Sequence, residues 1–361
     1  MRLSTITVFE HSAEKVEALA AMGFDQVVVR RPLGELRDQE WADNIKRLQD
    51  HGIKVLLSWP EPGSFNDGMP MDDPRWSFKA SDGRTNTSAW TGQKIDARLQ
   101  QYSHWNDEVE RAMIAELPQW LEVFPDIDGF HIQVSLCDRM FPTDWYAFGD
   151  YAIHGTRMYW SFDDHAQAKW AEFSAGTPMP THPDPNDSNH TFYRWYQRGY
   201  IDRLTALTNA ALDAGASEIS TWFLPHTRWT AENMTGGTAG SVEPLEAWRQ
   251  HVISRGVSPL MIVAHLFGLG ADWPEWRSDG EETIRRVCAP PYNWDLIVGA
   301  ECDIDGDTTP QRVISHGAQS ANMGATGLFC SDHLWLGLPP EAAVAAAIAE
   351  VRPLFADNQH T

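Results

Sequence analysis

Basic residues are scarce in this sequence: 28 Lys and Arg stand against 50 Asp and Glu, a formal net charge of −22. A nucleic-acid ligand needs cationic side chains to neutralise its phosphates, so this surface repels nucleic acid and, for the same reason, anionic membranes. The acidity is read as a solubility surface. Cysteine is also sparse. Cys137, Cys288, Cys302 and Cys330 form no Cys-x-x-Cys pair, which excludes zinc-ribbon and thioredoxin-like motifs. No apolar run is long enough to span a bilayer. Met1 to Thr5 enter a strand-like pattern with no signal-peptide apolar region, so a cytoplasmic location is expected by default. Glycine is missing where a dinucleotide site needs it, because Glu10-His11-Ser12 follows the first strand; a Rossmann-type fold is disfavoured. No Ser/Gly/Pro linker divides the 361 residues, and a single domain over 1–361 is expected.

What is present is a regular alternation. Short β-rich runs are expected at Thr5–Phe9, Gln26–Val29, Ile53–Leu57, Gly129–Val134, Glu218–Phe223, Pro259–Ala264, Trp294–Ala300 and Thr326–Phe329. Between them lie helical patterns: Ser12–Met22 ending at Gly23, Gln39–His51 stopping at Gly52, Asn106–Val123, Phe192–Ala214 ending at Gly215, Leu245–Ser254 before Gly256, Glu281–Val287 and Pro310–Asn322. Glu341–Val351 closes the series. Eight strand–helix units predict a (β/α)8 TIM barrel with long insertions in the third and fourth βα loops, at about 59–105 and 136–191. The second insertion should hold one helix, capped at Ser161 with Asp164 in the capping-box position.

In such a barrel the reacting groups sit where strands end and βα loops begin. Side chains alternate along each strand, so parity assigns faces. On the fourth strand Phe130, Ile132 and Val134 suit the helix side, leaving His131, Gln133 and Ser135 inward. On the seventh, Leu296, Val298 and Ala300 face the helices, and Ile297, Gly299 and Glu301 the axis. Glu301 thus closes the strand above a glycine that leaves room. A buried carboxylate without a partner is costly, so function or a fixed ion pair must explain it. Other candidates at strand ends are Arg30, Ser58, Trp59, Glu61, Trp222, His226, His265, Asp303 and the cluster Asp332, His333 and Trp335. Acids crowd from Glu301 to Asp307, but the EF-hand spacing is not met and no metal is expected; Asp307 or Thr308 should instead cap the helix near Pro310. No cofactor motif appears.

Tryptophan is the compositional excess, with 17 residues. Trp59, Trp76, Trp90, Trp105, Trp145, Trp160, Trp222, Trp229, Trp273, Trp276 and Trp335 all fall in or beside the expected βα loops. Flat rings stack on the CH face of sugars while nearby polar groups take hydroxyls. The competing explanation is that these rings form small cores that pin long loops.

Glu301 at the end of the seventh strand, together with Tyr159-Trp160-Ser161-Phe162-Asp163-Asp164 running on to Trp170 and Phe173, resembles the clan A glycoside hydrolases, including the β-galactosidase-like members. The resemblance implies a (β/α)8 barrel, a carbohydrate substrate and a glutamate nucleophile at Glu301. It departs at the fourth strand, where those families carry an Asn-Glu pair and this chain reads Gln133-Val134-Ser135-Leu136-Cys137-Asp138. The acid is then Asp138 or a loop carboxylate such as Glu61. His131, Gln133, His226 and His265 would bind hydroxyls or tune acidity. Two other functions stay open: a divalent-metal-dependent sugar isomerase, aldolase or lyase using His131, His226, His265, Glu301 and Asp303, and an inactive carbohydrate-binding barrel. Oligomeric state is not read from the sequence.

Overall fold

The computed structural model describes residues 1–7, 13–29, 39–59, 79, 103, 105–132, 162–180, 191–223, 225, 242–263, 274–300, 309–331 and 341–358. The strands are β1 (Arg2–Thr7), β2 (Gln26–Val29), β3 (Lys54–Trp59), β4 (Gly129–Ile132), β5 (Glu218–Trp222), β6 (Leu260–Val263), β7 (Leu296–Gly299) and β8 (Gly327–Ser331). They pair in sequence order and close through a parallel β1–β8 ladder into an eight-stranded barrel. The expected (β/α)8 architecture is therefore the one observed. The two proposed insertions fall mostly outside the described residues.

The helices are α1 (Ala13–Ala21), α2 (Gln39–Asp50), α3 (Asp107–Val123), α4 (Asp164–Phe173), α5 (Thr191–Asp213), α6 (Val242–Ser254), α7 (Pro274–Cys288), α8 (Pro310–Asn322) and α9 (Glu341–Val351), followed by a 3-10 segment, Arg352–Asn358. Their ends follow local chemistry. The Asn106 side chain caps α3 by accepting from the Glu108 amide, and Asp107, Glu108 and Glu110 sit against the positive end of the helix dipole. Gly215, read as the stop of α5, takes φ 96°, a left-handed turn that a side chain disfavours. Two expected caps are corrected. The α8 cap is Thr309, whose hydroxyl accepts from the Arg312 amide, with Pro310 fitting the first helical position. The α4 cap is Asp163, not Ser161, because its carboxylate accepts from the Ala166 amide. Helix α7 also begins seven residues before the expected Glu281.

Strand parity divides the apolar residues into two cores. Leu3, Val27, Val29, Val55, Leu57, Phe130, Ile132, Ile219, Phe223, Met261, Val263, Leu296, Val298, Leu328 and Cys330 pack outward with the helix faces. Val28, Leu56, Leu260, Ile262, Ile297 and Phe329 fill the lumen, joined by Trp222. Full burial of aliphatic and aromatic side chains on both faces of a parallel sheet makes this the main stabilising term.

The amino-terminal end of the barrel is stitched by aspartates placed just before strands. Asp25 Oδ2 accepts from the Leu3 amide and Asp128 Oδ2 from the Val55 amide, each at 2.8 Å. Asp295 accepts from the Thr326 hydroxyl and pairs with Arg2 at 2.8 Å. A cavity of about 370 Å³ opens there; of its charged lining, Arg2, Asp25 and Asp295 are engaged in these contacts and Lys54 pairs with Glu218, as suits the stabilising face of such barrels.

Among the described residues no helix is long and apolar enough to cross a membrane.

Candidate functional site

The lumen changes character on one side. Below, Val28, Leu56, Leu260, Ile297 and Phe329 are apolar. Toward the carboxyl ends of three neighbouring strands, Ser58 of β3, His131 of β4 and Ser220 of β5 face one another across the ladders, with Ser58 in register with His131 and His131 with Ser220. All three are fully buried. His131 Nδ1 lies 2.8 Å from Ser220 Oγ. Trp222, two residues further along β5, stands over this tier: its ring meets His131 edge-on at 4.8 Å and 83°, and Phe329 at 5.3 Å and 87°. Trp222 is 5% exposed and its indole N–H has no hydrogen-bond partner among the described residues. A buried indole donor with nothing to bond carries a desolvation cost that a ligand acceptor could offset.

His131, expected to face inward, lies on the lumen side, and so does Trp222, which the sequence marks only as a strand-end candidate. Trp59 is a correction. Strand β3 runs two residues beyond the expected Leu57, so Trp59 shares parity with Val55 and Leu57 and lies in the core between barrel and helices. It is fully buried there, edge-on to Phe130 at 5.7 Å, and cannot form a wall of a lumen pocket. Arg30, Glu61, Gln133, Asp138, His226, His265, Glu301, Asp303, Asp332, His333 and Trp335 lie outside the described residues. For β7, the described part of the pattern is as expected: Leu296, Val298 and Ala300 pack with the helices and Ile297 with the lumen. The Ala300 amide still donates to the Phe329 carbonyl at 2.9 Å, so ladder pairing continues to the last described residue before Glu301.

A second assembly lies at the top of α3 and α5, where the two long βα connections return to the helix layer. Trp105, Ala166, Trp170, Phe192 and Trp195 form a separate core. Trp105 and Trp195 stack at 3.9 Å and 5°, and Trp170 meets Trp195 edge-on at 5.4 Å. Trp105 and Trp170 therefore belong to a small core that pins the connections, the competing explanation offered for the tryptophan excess. The connections are also tied to each other: the Phe162 amide donates to the Lys79 carbonyl at 2.9 Å, and Ser103 donates to Asp163 Oδ1 at 2.9 Å. Burial pushes the Asp163 carboxyl above its usual range, opposed by hydrogen bonds from the Ala166 amide and the Ser103 hydroxyl. Its second oxygen is buried with no hydrogen-bond partner among the described residues. From α5, Arg203 pairs with Glu110 of α3 at 2.9 Å and donates to the Asn106 carbonyl.

Sequence reasoning missed Ser220 and Asp163. Ser220 had a signal: it shares parity with Trp222 in Glu218–Trp222. Among the described residues no group of three or more His, Cys, Asp or Glu is arranged to hold a metal ion.

No family model matches the chain, and no curated protein matches it. Solved structures similar to it include a trehalose-6-phosphate hydrolase from Bacillus licheniformis, at 11% identity and TM-score 0.45, covering 96% of this chain and 72% of that one. A GH18 chitinase from Pseudoalteromonas aurantia is 11% identical with TM-score 0.48, over 97% of this chain and 100% of the other. A Schiff-base-forming fructose-1,6-bisphosphate aldolase is 9% identical with TM-score 0.40, over 97% and 93%. The barrel assignment stands on the strand pairing itself, and likenesses this distant say nothing about the reaction.

Proposed function

We propose that this chain is a glycoside hydrolase acting on an oligo- or polysaccharide, with Glu301 as nucleophile or essential carboxylate and Asp138 as the acid. The observation that carries the proposal is the parity of β7. Ile297 and Gly299 fall on the axis side, Ala300 on the helix side, and the ladder to β8 persists through Ala300. Continued for one further residue, the same alternation would turn Glu301 toward the axis at the carboxyl end of the strand, where barrel chemistry is located, and this supports the reading. Gly299, beneath it, contributes no side chain. The polar His131 tier and the Trp222 ring on the lumen side support the reading, since a sugar site combines hydrogen-bonding groups with an apolar ring.

In this mechanism a Glu301 oxygen forms a bond to the anomeric carbon as the glycosidic bond breaks. Asp138 delivers its proton to the departing oxygen. Water, deprotonated by the resulting Asp138 carboxylate, then attacks the anomeric carbon and releases Glu301. Gln133, Glu61, His226, His265, Arg30, Asp303 and the group Asp332, His333 and Trp335 are assigned to binding hydroxyls and ring faces from the other strand ends. The test is turnover of a panel of aryl glycosides by the wild type and by Glu301→Gln. The variant is expected to keep its circular dichroism spectrum and lose turnover by orders of magnitude. Full turnover by Glu301→Gln on every glycoside cleaved by the wild type removes the assignment.

A further inference from the structure

The carboxyl end of β7 is held by two hydrogen bonds that come from different layers of the barrel. The Ala300 amide donates to the Phe329 carbonyl of β8 at 2.9 Å, and the Ala300 carbonyl lies 2.9 Å from Nδ1 of His316, on α8. A carbonyl oxygen can only accept, so Nδ1 carries the hydrogen and donates it. Ala300 is fully buried and His316 is 7% exposed, so both bonds lie away from bulk water. The buried face of α8 is otherwise built of small or aliphatic residues, Val313, Gly317, Ser320 and Ala321. An imidazole on such a face serves the strand end rather than the packing of the helix.

We infer that His316 is a positioning residue: it fixes the peptide plane that joins Ala300 to Glu301, and with it the point from which the Glu301 side chain departs. The inference rests on the glycosidase proposal, in which that carboxylate must meet an anomeric carbon. The atoms from the Ala300 Cα to the Glu301 Cα share one plane. With the Ala300 amide tied to β8 and its carbonyl tied to α8, the rotation between the two groups is set, and the place of the Glu301 Cα with it. The anchor is itself firm. Helix α8 starts at its Thr309 cap, and Gly317, beside His316, packs so closely on α9 that a Cβ there would lie 2.9 Å from Val351 Cγ1. Without the imidazole donor the carbonyl is left to find another partner, and the peptide turns with it. A shift of about 1 Å at a reacting group can cost about a hundredfold in rate, even when the altered residue never touches substrate.

The test is turnover of an aryl glycoside by the wild type, His316→Leu and His316→Asn. Alongside it, the Glu301 backbone amide is followed in protein labelled with ¹⁵N-glutamate and assigned by its loss in Glu301→Ala. Leucine removes the donor and keeps most of the volume, whereas the asparagine amide nitrogen stands as many bonds from the backbone as Nδ1 does. His316→Leu is expected to lower kcat about a hundredfold with KM little changed, and to shift the Glu301 amide signal. His316→Asn should restore both, which a packing role alone would not produce. A wild-type kcat in His316→Leu, or a His316→Asn no better than His316→Leu, overturns the inference. Should His316→Leu fail to fold, His316→Gln, whose donor stands one bond further out, takes its place with the same expected loss. Should the wild type turn over no glycoside, the glycosidase proposal falls, and the amide signal still decides whether His316 sets the peptide: a shift in His316→Leu that His316→Asn reverses sustains it, and an unmoved signal overturns it.

Discussion

Gly199, midway along α5, sets two effects of known size against each other. An alanine Cβ there would lie 1.9 Å from Cη2 and 2.1 Å from Cζ3 of Trp105. Carbon atoms rest comfortably at about 3.5–4.0 Å, so the indole must retreat by roughly 1.5–2 Å. It has little freedom to do so, being 7% exposed and stacked on Trp195 at 3.9 Å. In an open helix Gly→Ala would stabilise by about 0.5–1 kcal/mol. Here overpacking costs about 1–3 kcal/mol and loss of the ring pair about 0.5–1.5 kcal/mol more. The packing terms win, and Gly199→Ala is expected to destabilise by roughly 1–3 kcal/mol, a fall in Tm of about 1–4 °C for a chain of this size. Denaturant unfolding followed by tryptophan fluorescence measures the first quantity, and near-UV circular dichroism reports the lost stack. The decisive control is the same substitution in a Trp105→Ala background. With the indole gone the sign should reverse, leaving the helix-propensity gain alone. A Gly199→Ala midpoint equal to or above wild type in the native background refutes the reasoning.

Two further outcomes follow from buried ionisable groups. The Asp163 carboxyl is held above its ordinary value of 3.8 by burial, so below that value it is neutral in both folded and unfolded chains, and above it the unfolded chain ionises first. Stability contributed at this site is therefore present at low pH and lost as pH rises through a window that opens near 3.8. Asp163→Asn, which keeps an oxygen for the Ser103 and Ala166 donors, should flatten that part of the pH–stability curve. Parallel curves for wild type and variant would count against it. The Cys288 thiol is pushed up to about 12 by burial and, secondarily, by Asp295. At pH 8 it should resist alkylation in the native protein and react fully in denaturant, as followed by peptide mass mapping; native alkylation within minutes would contradict the burial argument.

Much of the fold could be read from the sequence because its signals are local. Runs such as Gln-Val-Val-Val at β2, and a Pro-led helix at Pro310–Asn322, specify themselves within a few residues. Where the expectation slipped, a tertiary interaction had decided the outcome. Helix α7 starts at Pro274, but Arg277 to Glu282 carry no apolar side chain, and the buried Ile284 and Val287 come late in the helix. Ser161 and Asp163 are both plausible caps for α4; Asp163 is the one bonded to Ser103, sixty residues away, and no local pattern reveals that partner.

Trp59 shows how a small boundary error becomes a functional one. Ending β3 at Leu57 turns the next residues into a loop whose side chains may be imagined anywhere, and a tryptophan in a loop invites a sugar. Extending the strand to Trp59 subjects it to parity, and parity sends it into the helix-facing core beside Phe130. The same rule applied to β5 brings Ser220 and Trp222 together on the lumen side, where the sequence alone had drawn notice only to the tryptophan. Extension of strands by their ladders, rather than by their composition, is thus the step that separates pocket residues from core residues in this barrel. That is why the β7 ladder, paired through Ala300, is the support on which the proposal for Glu301 rests. A carboxylate one residue beyond a hydrogen-bonded strand is expected to follow the strand's alternation. One several residues further on, as Asp138 is from Ile132, inherits nothing, and its role must be decided by turnover of Asp138→Asn.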